Sequence, residues 1–446
     1  MKYLILLAAC LLYILPIFAQ TMCDYNELFL EPISEPPIFG NTIPYCVNCP
    51  DEEGILRTYE IILHTPIDAF TNLVPLRPHV MYVHGFGPNT NMADPIAGIS
   101  QLHSREVFGI YGFSASTLMY RQDVHLLDLT NLCNTPEIEV IKTHYRAIQD
   151  MRKAVDLLFQ NPTIYGIDTT NFFLYGNSQG ATAILNGVLA TNEDEWLSLF
   201  PEEYHYIKEE LGEWLPMRTI KGIVSIAGVL YGTELLDTND NTALFLGHGT
   251  CDEAAPYDVG TPLNCPTDIM VYGSRSIACK AKATNNNYSL HSINGLGHSW
   301  DDEGLQTEAG NTIRAWLKNQ MICGTPVQES FTYEMNLVDC ESGNTTLNGC
   351  SIPNTTTDLL EIQEKCTLFP NPVSTTLNIN LPSTVAPIKY LTIINTRRKI
   401  VQKTNLNHSY KKQTTIPINH LPNGIYYLNI ITQDQESLSQ SFVVNK

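Results

Sequence analysis

Three residues far apart in the chain carry the side-chain types that together cleave an acyl bond: Ser178, Asp252 and His298. They occur in the order Ser, Asp, His, with separations of 74 and 46 residues, so only a fold can gather them. Ser178 stands in Gly176-Asn177-Ser178-Gln179-Gly180. An apolar run, Phe172 to Tyr175, precedes this pattern, and an apolar, small-residue segment, Ala181 to Ala190, follows it at helical length. Strand, G-x-S-x-G, helix is the setting of a nucleophile carried on a sharp, strained turn. Glycines two positions away on each side let the strand and helix approach closely. The start of the helix then aims unpaired N–H groups and the positive end of its dipole at the place where an oxyanion forms. Alone, the five-residue pattern also fits a glycine-rich turn with an idle serine. Its surroundings have to decide.

Three surroundings bear on it. His84-Gly85-Phe86-Gly87 follows a buried strand at 79–83. There the amides of Gly85 or Phe86 join that of Gln179 in an oxyanion hole. Asp252 lies on the loop after a strand at 243–246, where an acid holds a histidine in one tautomer and stabilises its charged form. Asp258 is the competing acid. His298, in Gly295-Leu296-Gly297-His298-Ser299-Trp300, follows the last strand. It takes the Ser178 proton and later returns it to the leaving group. Of the neighbouring histidines, His248 is expected to shape the acid loop and His291 to lie within a strand.

The elements that position these residues follow from periodicity. Strands are expected at 58–64, 79–83, 116–120, 172–175, 220–227, 243–246 and 288–293. A helix over 141–159 carries apolar residues at 141, 145, 148, 151, 155 and 158, a helical stripe. Further helices are expected at 181–190 and 311–321. Buried strands alternating with helices predict an α/β domain at 54–322, a mostly parallel sheet with helices on both faces. Residues 20–53 read as an irregular N-terminal extension, and 323–366, rich in Asn, Thr and Gly, as a linker. Residues 367–446 hold short alternating strands that predict a small C-terminal antiparallel β-sandwich. The segment 193–214 interrupts the pattern with eight carboxylates, one lysine and five interspersed aromatics. It reads either as a cap over the site or as a solvated amphipathic helix pair.

Composition narrows the compartment and the partners. A chain of 446 residues fits two domains, and 43% hydrophobic residues can fill their cores. A formal net charge of −20 argues against nucleic acid as a partner. Residues 1–19 read as a secretory signal peptide: a lysine, an apolar core and a cut after Ala19. No later segment is apolar and long enough to span a membrane. Of the 12 cysteines, eleven remain after the signal, and export makes disulfides the default. Cys46 and Cys49 have the spacing of a metal pair, but without a second pair at ligand spacing a disulfide is expected. Cys340 and Cys350 bracket a loop they could close. The pairings of Cys251, Cys265 and Cys279 stay open.

With these residues in place, 57–322 resembles the α/β-hydrolase superfamily, in its secreted carboxylesterase branches related to feruloyl esterases and polyhydroxybutyrate depolymerases. The similarity rests on Tyr120-Arg121, Asp150 to Ala154, Gly166-Ile167-Asp168, the Ser178 turn and His248-Gly249-Thr250-Cys251-Asp252. The chain departs from the pattern in reading HGFG where many members have HGGG, and Gln179-Gly180-Ala181 where many have Ala-Gly-Gly. The resemblance implies a serine hydrolase cleaving carboxylic esters, small or polymer-linked, through an acyl-enzyme that water resolves. It needs no metal or cofactor. A serine peptidase on the same fold is an alternative. A catalytically silent hydrolase fold used for adhesion is another, although such relatives tend to lose the serine or the histidine.

The tail resembles the type A sorting domain of the type IX secretion system of Bacteroidetes. It does so in Leu368-Phe369-Pro370-Asn371-Pro372-Val373, Leu421-Pro422-Asn423-Gly424-Ile425-Tyr426-Tyr427 and Phe442-Val443-Val444-Asn445-Lys446. It lacks the usual Asp-x-x-Gly-Lys turn, having Asn395-Thr396-Arg397-Arg398-Lys399. This resemblance implies handling by the secretion machinery, passage through both membranes, and removal of the tail with release or surface attachment.

Overall fold

The computed structural model describes residues 29–32, 40–51, 53–65, 76–86, 104–122, 132–237, 241–265, 267, 269–298, 303–318, 327–334, 345–347, 367–370, 372–380, 388–395, 400–405, 413–432 and 437–446. The signal peptide, Cys340, Cys350 and most of the 323–366 segment lie outside these. The chain divides into two compact units, 1–350 and 351–446.

The first unit is built on nine strands: β1 (Asn41–Pro50), β2 (Leu56–His64), β3 (Arg77–Val83), β4 (Ser114–Leu118), β5 (Ile167–Asn177), β6 (Gly222–Ile226), β7 (Ala243–Gly249), and, after a short ribbon of β8 (Val259–Gly260) and β9 (Val271–Tyr272), β10 (Tyr288–Asn294) and β11 (Gln328–Glu334). Their order is β1-β2-β4-β3-β5-β6-β7-β10-β11. β2 pairs antiparallel with β1 and β4, and every neighbouring pair from β4 to β11 is parallel. This is the mostly parallel sheet of the α/β domain that the sequence predicts. The chain places β4 on one side of β3 and β5 on the other, so the loops leaving β3 and β5 adjoin at a topological switch point, where α/β sheets gather their functional groups. Register makes this concrete: Val83, last in β3, sits opposite Gly176.

Two strands extend the sheet beyond 54–322. β1 lies in the segment expected to be irregular, and β11 in the segment expected to be a linker. Both are edge strands with mainly exposed side chains, so neither carries the apolar run that marks a buried strand. β1 also contains Pro44, which an edge tolerates.

Helix α1 (Glu137–Gln160) buries its stripe: Ile141, Tyr145, Ile148, Met151, Val155 and Leu158 are all fully inside. It packs on the sheet beside α3 (Gln179–Leu189), after the short α2 (Pro162–Tyr165). On the opposite face, Phe108, Phe113, Phe245, Ile313 and Trp316 form a second core. The acidic segment 193–214 folds as α4 (Glu193–Leu197) and α5 (Ile207–Leu211) with connecting turns. Its Trp196, Phe200 and Trp214 are buried and stack among Tyr145 and Tyr231. Glu202, Glu203, Glu209, Glu210 and Glu213 face solvent. The segment therefore builds core on one side and a solvated face on the other.

The second unit has two antiparallel sheets. One joins β12 (Thr367–Phe369), β13 (Thr376–Asn380) and β16 (Gln413–Pro417), and the other β14 (Ile388–Asn395), β15 (Ile400–Asn405), β17 (Gly424–Thr432) and β18 (Ser437–Val444). Leu377, Ile379, Leu391, Leu428, Ile430 and Phe442 form their shared core. The terminal Lys446 holds the Leu421–Gly424 turn, its Nζ donating to Leu421 O at 2.6 Å and to Asn419 O at 2.7 Å.

Arg152 is a buried cation held by carbonyls. Its guanidinium donates to Gly187 O, Ala190 O and Leu215 O at 2.7 to 3.1 Å and lies over the Trp214 ring at 4.8 Å. Two of these carbonyls close the C-terminal end of α3, where backbone acceptors need donors. Burial lowers the Arg152 pKa to about 10, so it stays charged at neutral pH. Replacing Arg152 by Met is expected to cost about 3 kcal/mol, because three buried acceptors lose charge-assisted donors. The shift of the urea unfolding midpoint checks this.

Candidate active site

Ser178 occupies the turn between β5 and α3 with φ 53° and ψ −119°, a strained state for a residue with a side chain. The flanking glycines explain how the turn closes. A Cβ on Gly176 would meet Ala181 N at 2.5 Å, and one on Gly180 would meet Val83 O at 2.0 Å. The turn is locked by Ser178 N donating to Ile226 O at 2.8 Å and by Thr182 N donating to Ser178 O at 2.9 Å.

The structure brings Ser178, Asp252 and His298 together. Ser178 Oγ lies 2.7 Å from His298 Nε2. His298 Nδ1 lies 2.7 Å from Asp252 Oδ2 and 2.9 Å from Oδ1. A carboxylate only accepts, so Nδ1 carries the hydrogen and Nε2 is left to accept from the serine hydroxyl. The acid loop after β7 and the histidine loop after β10 are tied to each other: Cys251 N donates to Leu296 O at 2.9 Å, Gly295 N to Thr250 Oγ1 at 3.1 Å, and Thr250 Oγ1 to Asn294 Oδ1 at 3.1 Å. Asp252 Oδ1 also accepts the backbone N–H groups of Ala254 at 2.9 Å and Ala255 at 2.8 Å. The competing acid, Asp258, pairs instead with Arg275 and Ser276. His291 lies within β10, stacked on Phe245.

The loop after β3 is set from behind by two residues, Tyr120 and Gln122. Tyr120 Oη donates to His84 O at 2.7 Å, and Gln122 Nε2 donates to Gly85 O at 3.0 Å. With these carbonyls held on one side, Gly85 packs on the serine: a Cβ there would fall 3.3 Å from Ser178 Cβ. Phe86 and Gln179 line the same pocket as Ser178. Tyr120 is in turn anchored by its neighbour Arg121, whose guanidinium grips the fully buried Asp150 at 2.6 and 2.9 Å. Gln122 carried no sequence signal, since its role depends on a fold that returns β4 beside β3. His248, expected to shape the acid loop, does so: its Nε2 lies 2.9 Å from Ala255 O and 3.2 Å from Asp252 Oδ2.

A pocket of 360 Å³ opens onto Ser178 and His298. Its walls are mainly apolar, with Val140, Val229, Leu263 and Val271, and among the described residues none that lines it is a carboxylate, lysine or arginine. Tyr231 Oη lies 2.9 Å from His144 Nδ1. Burial lowers the His144 pKa to about 4, so this pair is neutral at ordinary pH. No residue of 193–214 lines the pocket. The Cys133–Cys265 disulfide staples the segment carrying Thr135 to the one carrying Pro262 and Leu263, which form part of its wall. Cys46 pairs with Cys49 as expected, and Cys251 and Cys279 are also in disulfides.

Residues 367–445 match the family described as the secretion system C-terminal sorting domain. The protein is thus exported, secreted or at the cell surface. Among the described residues no helix is long and apolar enough to cross a membrane. No curated protein matches the sequence. Similar solved structures include Thermogutta terrifontis esterase 2 phosphonylated by cyclosarin, at 14% identity over 66% of this chain and 97% of that one, with a TM-score of 0.39. They also include the Pyrobaculum calidifontis esterase, at 14% identity over 68% and 91% with a TM-score of 0.39. Esterase PE8 is similar at 19% identity over 56% and 96%, with a TM-score of 0.34.

Burial alone would raise the Asp252 carboxyl pKa, but hydrogen bonds and charge from His248 and His298 outweigh it and hold the group well below its ordinary 3.8. A carboxyl depressed in the folded state contributes stability that is complete above the unfolded pKa and is lost as pH falls below it. Asp252→Asn is therefore expected to be less stable than wild type at pH 7, with the difference shrinking as pH falls below about 4. Urea unfolding of both proteins across this range checks it.

Proposed function

We propose that this protein is a secreted serine hydrolase that cleaves uncharged carboxylic esters. The observation that carries the reading is the continuous hydrogen-bonded series Ser178–His298–Asp252 at the mouth of a mainly apolar pocket whose described lining residues include no carboxylate, lysine or arginine. Ser178 Oγ attacks the acyl carbon while His298 Nε2 takes its proton, and Asp252 keeps the imidazole in the Nδ1–H tautomer and stabilises the imidazolium. The tetrahedral oxyanion forms beside the start of α3, where the Gln179 amide and that of Gly85 or Phe86 donate to it. His298 then protonates the leaving alcohol. In the second half it activates water, which releases the acid and restores Ser178. Each step uses side chains and amides of this chain alone.

The pocket chemistry supports neutral substrates. A charged acyl group entering it would lose hydration without gaining an ionic partner among the described lining residues, a cost that an alkyl or aryl group does not meet.

Hydrolysis of a p-nitrophenyl ester chain-length series by wild type and Ser178→Ala tests the reading. Loss of about 10⁴-fold or more in kcat is expected in Ser178→Ala and in His298→Ala, and about 10³- to 10⁴-fold in Asp252→Asn. A neutral ester is expected to exceed the hemisuccinate ester of the same alcohol at least about tenfold in kcat/KM. Equal activity in wild type and Ser178→Ala would remove the assignment. Activity on peptide amides but not on esters would redirect it to a peptidase.

A further inference from the structure

Asp252 is shared by two histidines. His248, near the end of β7, is fully buried at its side chain, as is Asp252, and its Nε2 lies 3.2 Å from Asp252 Oδ2. The same nitrogen lies 2.9 Å from Ala255 O. His248 Nδ1 lies 2.9 Å from the hydroxyl of Ser274, the first residue of α6 (Ser274–Ala283). Two oxygens that only accept converge on Nε2. A bare Nε2 would set its lone pair against both, so Nε2 carries a hydrogen, and Nδ1 pairs with the Ser274 hydroxyl. The surroundings of His248 thus select one tautomer, and in it the N–H is shared between Ala255 O at 2.9 Å and Asp252 Oδ2 at 3.2 Å.

We propose that His248 is a positioning residue that lowers the basicity of His298 by sharing its Nε2–H between Ala255 O and the carboxylate oxygen on which His298 also rests. The proposal depends on the Ser178–His298–Asp252 reading above. Asp252 stabilises a protonated His298 according to how much of its negative charge is left uncompensated. The amides of Ala254 and Ala255 draw on Oδ1, and His248 draws on Oδ2. Less charge then remains to hold a proton on His298, which stays neutral, and able to act as a base, to lower pH.

The groups facing this pair leave it that role. From the histidine loop comes His298 itself. From the acid loop, the Tyr257 ring stands edge-on to His248 at 5.8 Å, and Glu253 is exposed. Asp258 is neutralised by Arg275 of α6 at 2.5 Å.

The test is the pH dependence of kcat/KM for p-nitrophenyl butyrate from about pH 5 to 9, on the full chain, for wild type, His248→Gln and His248→Met. The acid limb of that profile reports protonation of the base in the free enzyme. Glutamine keeps an N–H donor near the place of Nε2, and methionine keeps none. His248→Met is expected to move the acid limb upward by about one pH unit, with His248→Gln within about 0.3 unit of wild type. A residue that only packs would lower the rate without moving the limb. An acid limb in His248→Met that coincides with wild type, or falls below it, overturns the proposal. Should His248→Met not fold, nitrogen NMR of histidine-labelled wild type decides: His248 as the Nε2–H form supports the proposal, and the Nδ1–H form overturns it. Ser178→Ala, assayed alongside, separates the two readings. Activity surviving in Ser178→Ala overturns the triad and this proposal together, whereas activity lost there with an unmoved limb overturns only the role of His248.

Discussion

The backbone of Ser178 sits at φ 53° and ψ −119°, where a residue with a side chain is disfavoured by about 1–3 kcal/mol. The surrounding structure over-determines that state. β6 accepts the Ser178 N–H through Ile226 O, and α3 returns the Thr182 N–H to Ser178 O. Gly176 and Gly180 leave room for backbone alone, since a methyl at Gly180 would stand 2.0 Å from Val83 O. The contact of Gly180 with the end of β3 also brings the His84–Phe86 loop against the serine. One tight crossing thus sets three things at once: the exposure of Ser178 Oγ, the direction of the first amides of α3, and the distance to the loop facing them.

Charge is handled differently inside and outside this protein. The chain carries a net charge of −20, with the carboxylates of 193–214 largely on the solvated face. Inside, three buried ions are compensated by geometry. Asp150 has the Arg121 fork, Arg152 has three carbonyls, and Asp252 has two backbone amides and two histidines. A buried charge without such partners would cost several kcal/mol. The described lining of the pocket beside Ser178 follows the other solution and holds no such ion, its His144–Tyr231 pair being neutral.

The pocket wall is held together by elements distant in sequence. Cys133–Cys265 closes a separation of 132 residues, a cross-link of the length that removes most entropy from the unfolded chain, about 4–5 kcal/mol in the chain-entropy account. The acid and histidine loops are pinned to each other by backbone and threonine hydrogen bonds. The aromatics of 193–214 add Trp196, Phe200 and Trp214 to the core that backs Tyr231, so the segment acts on the pocket from behind.

Local pattern was enough for much of this. The stripe from Ile141 to Leu158, the apolar strands at 79–83, 172–175 and 243–246, and the Gly-x-Ser-x-Gly turn each express a period or a steric need contained within a few residues. The order of Ser178, Asp252 and His298, each after a strand, pointed to one cluster because a parallel sheet delivers such loops to one edge. The edge strands β1 and β11 escaped this reading, since a strand with mainly exposed side chains has no apolar run to show. Tertiary structure alone decided which acid reaches His298, with Asp258 drawn away to Arg275 and Ser276. It also decided that 193–214 turns its rings into the core, that Gln122 reaches the Gly85 carbonyl, and that His248 meets the same oxygen of Asp252 as His298. These depend on pairings across long separations and on angles fixed by packing, and a sequence holds them only through the fold it makes.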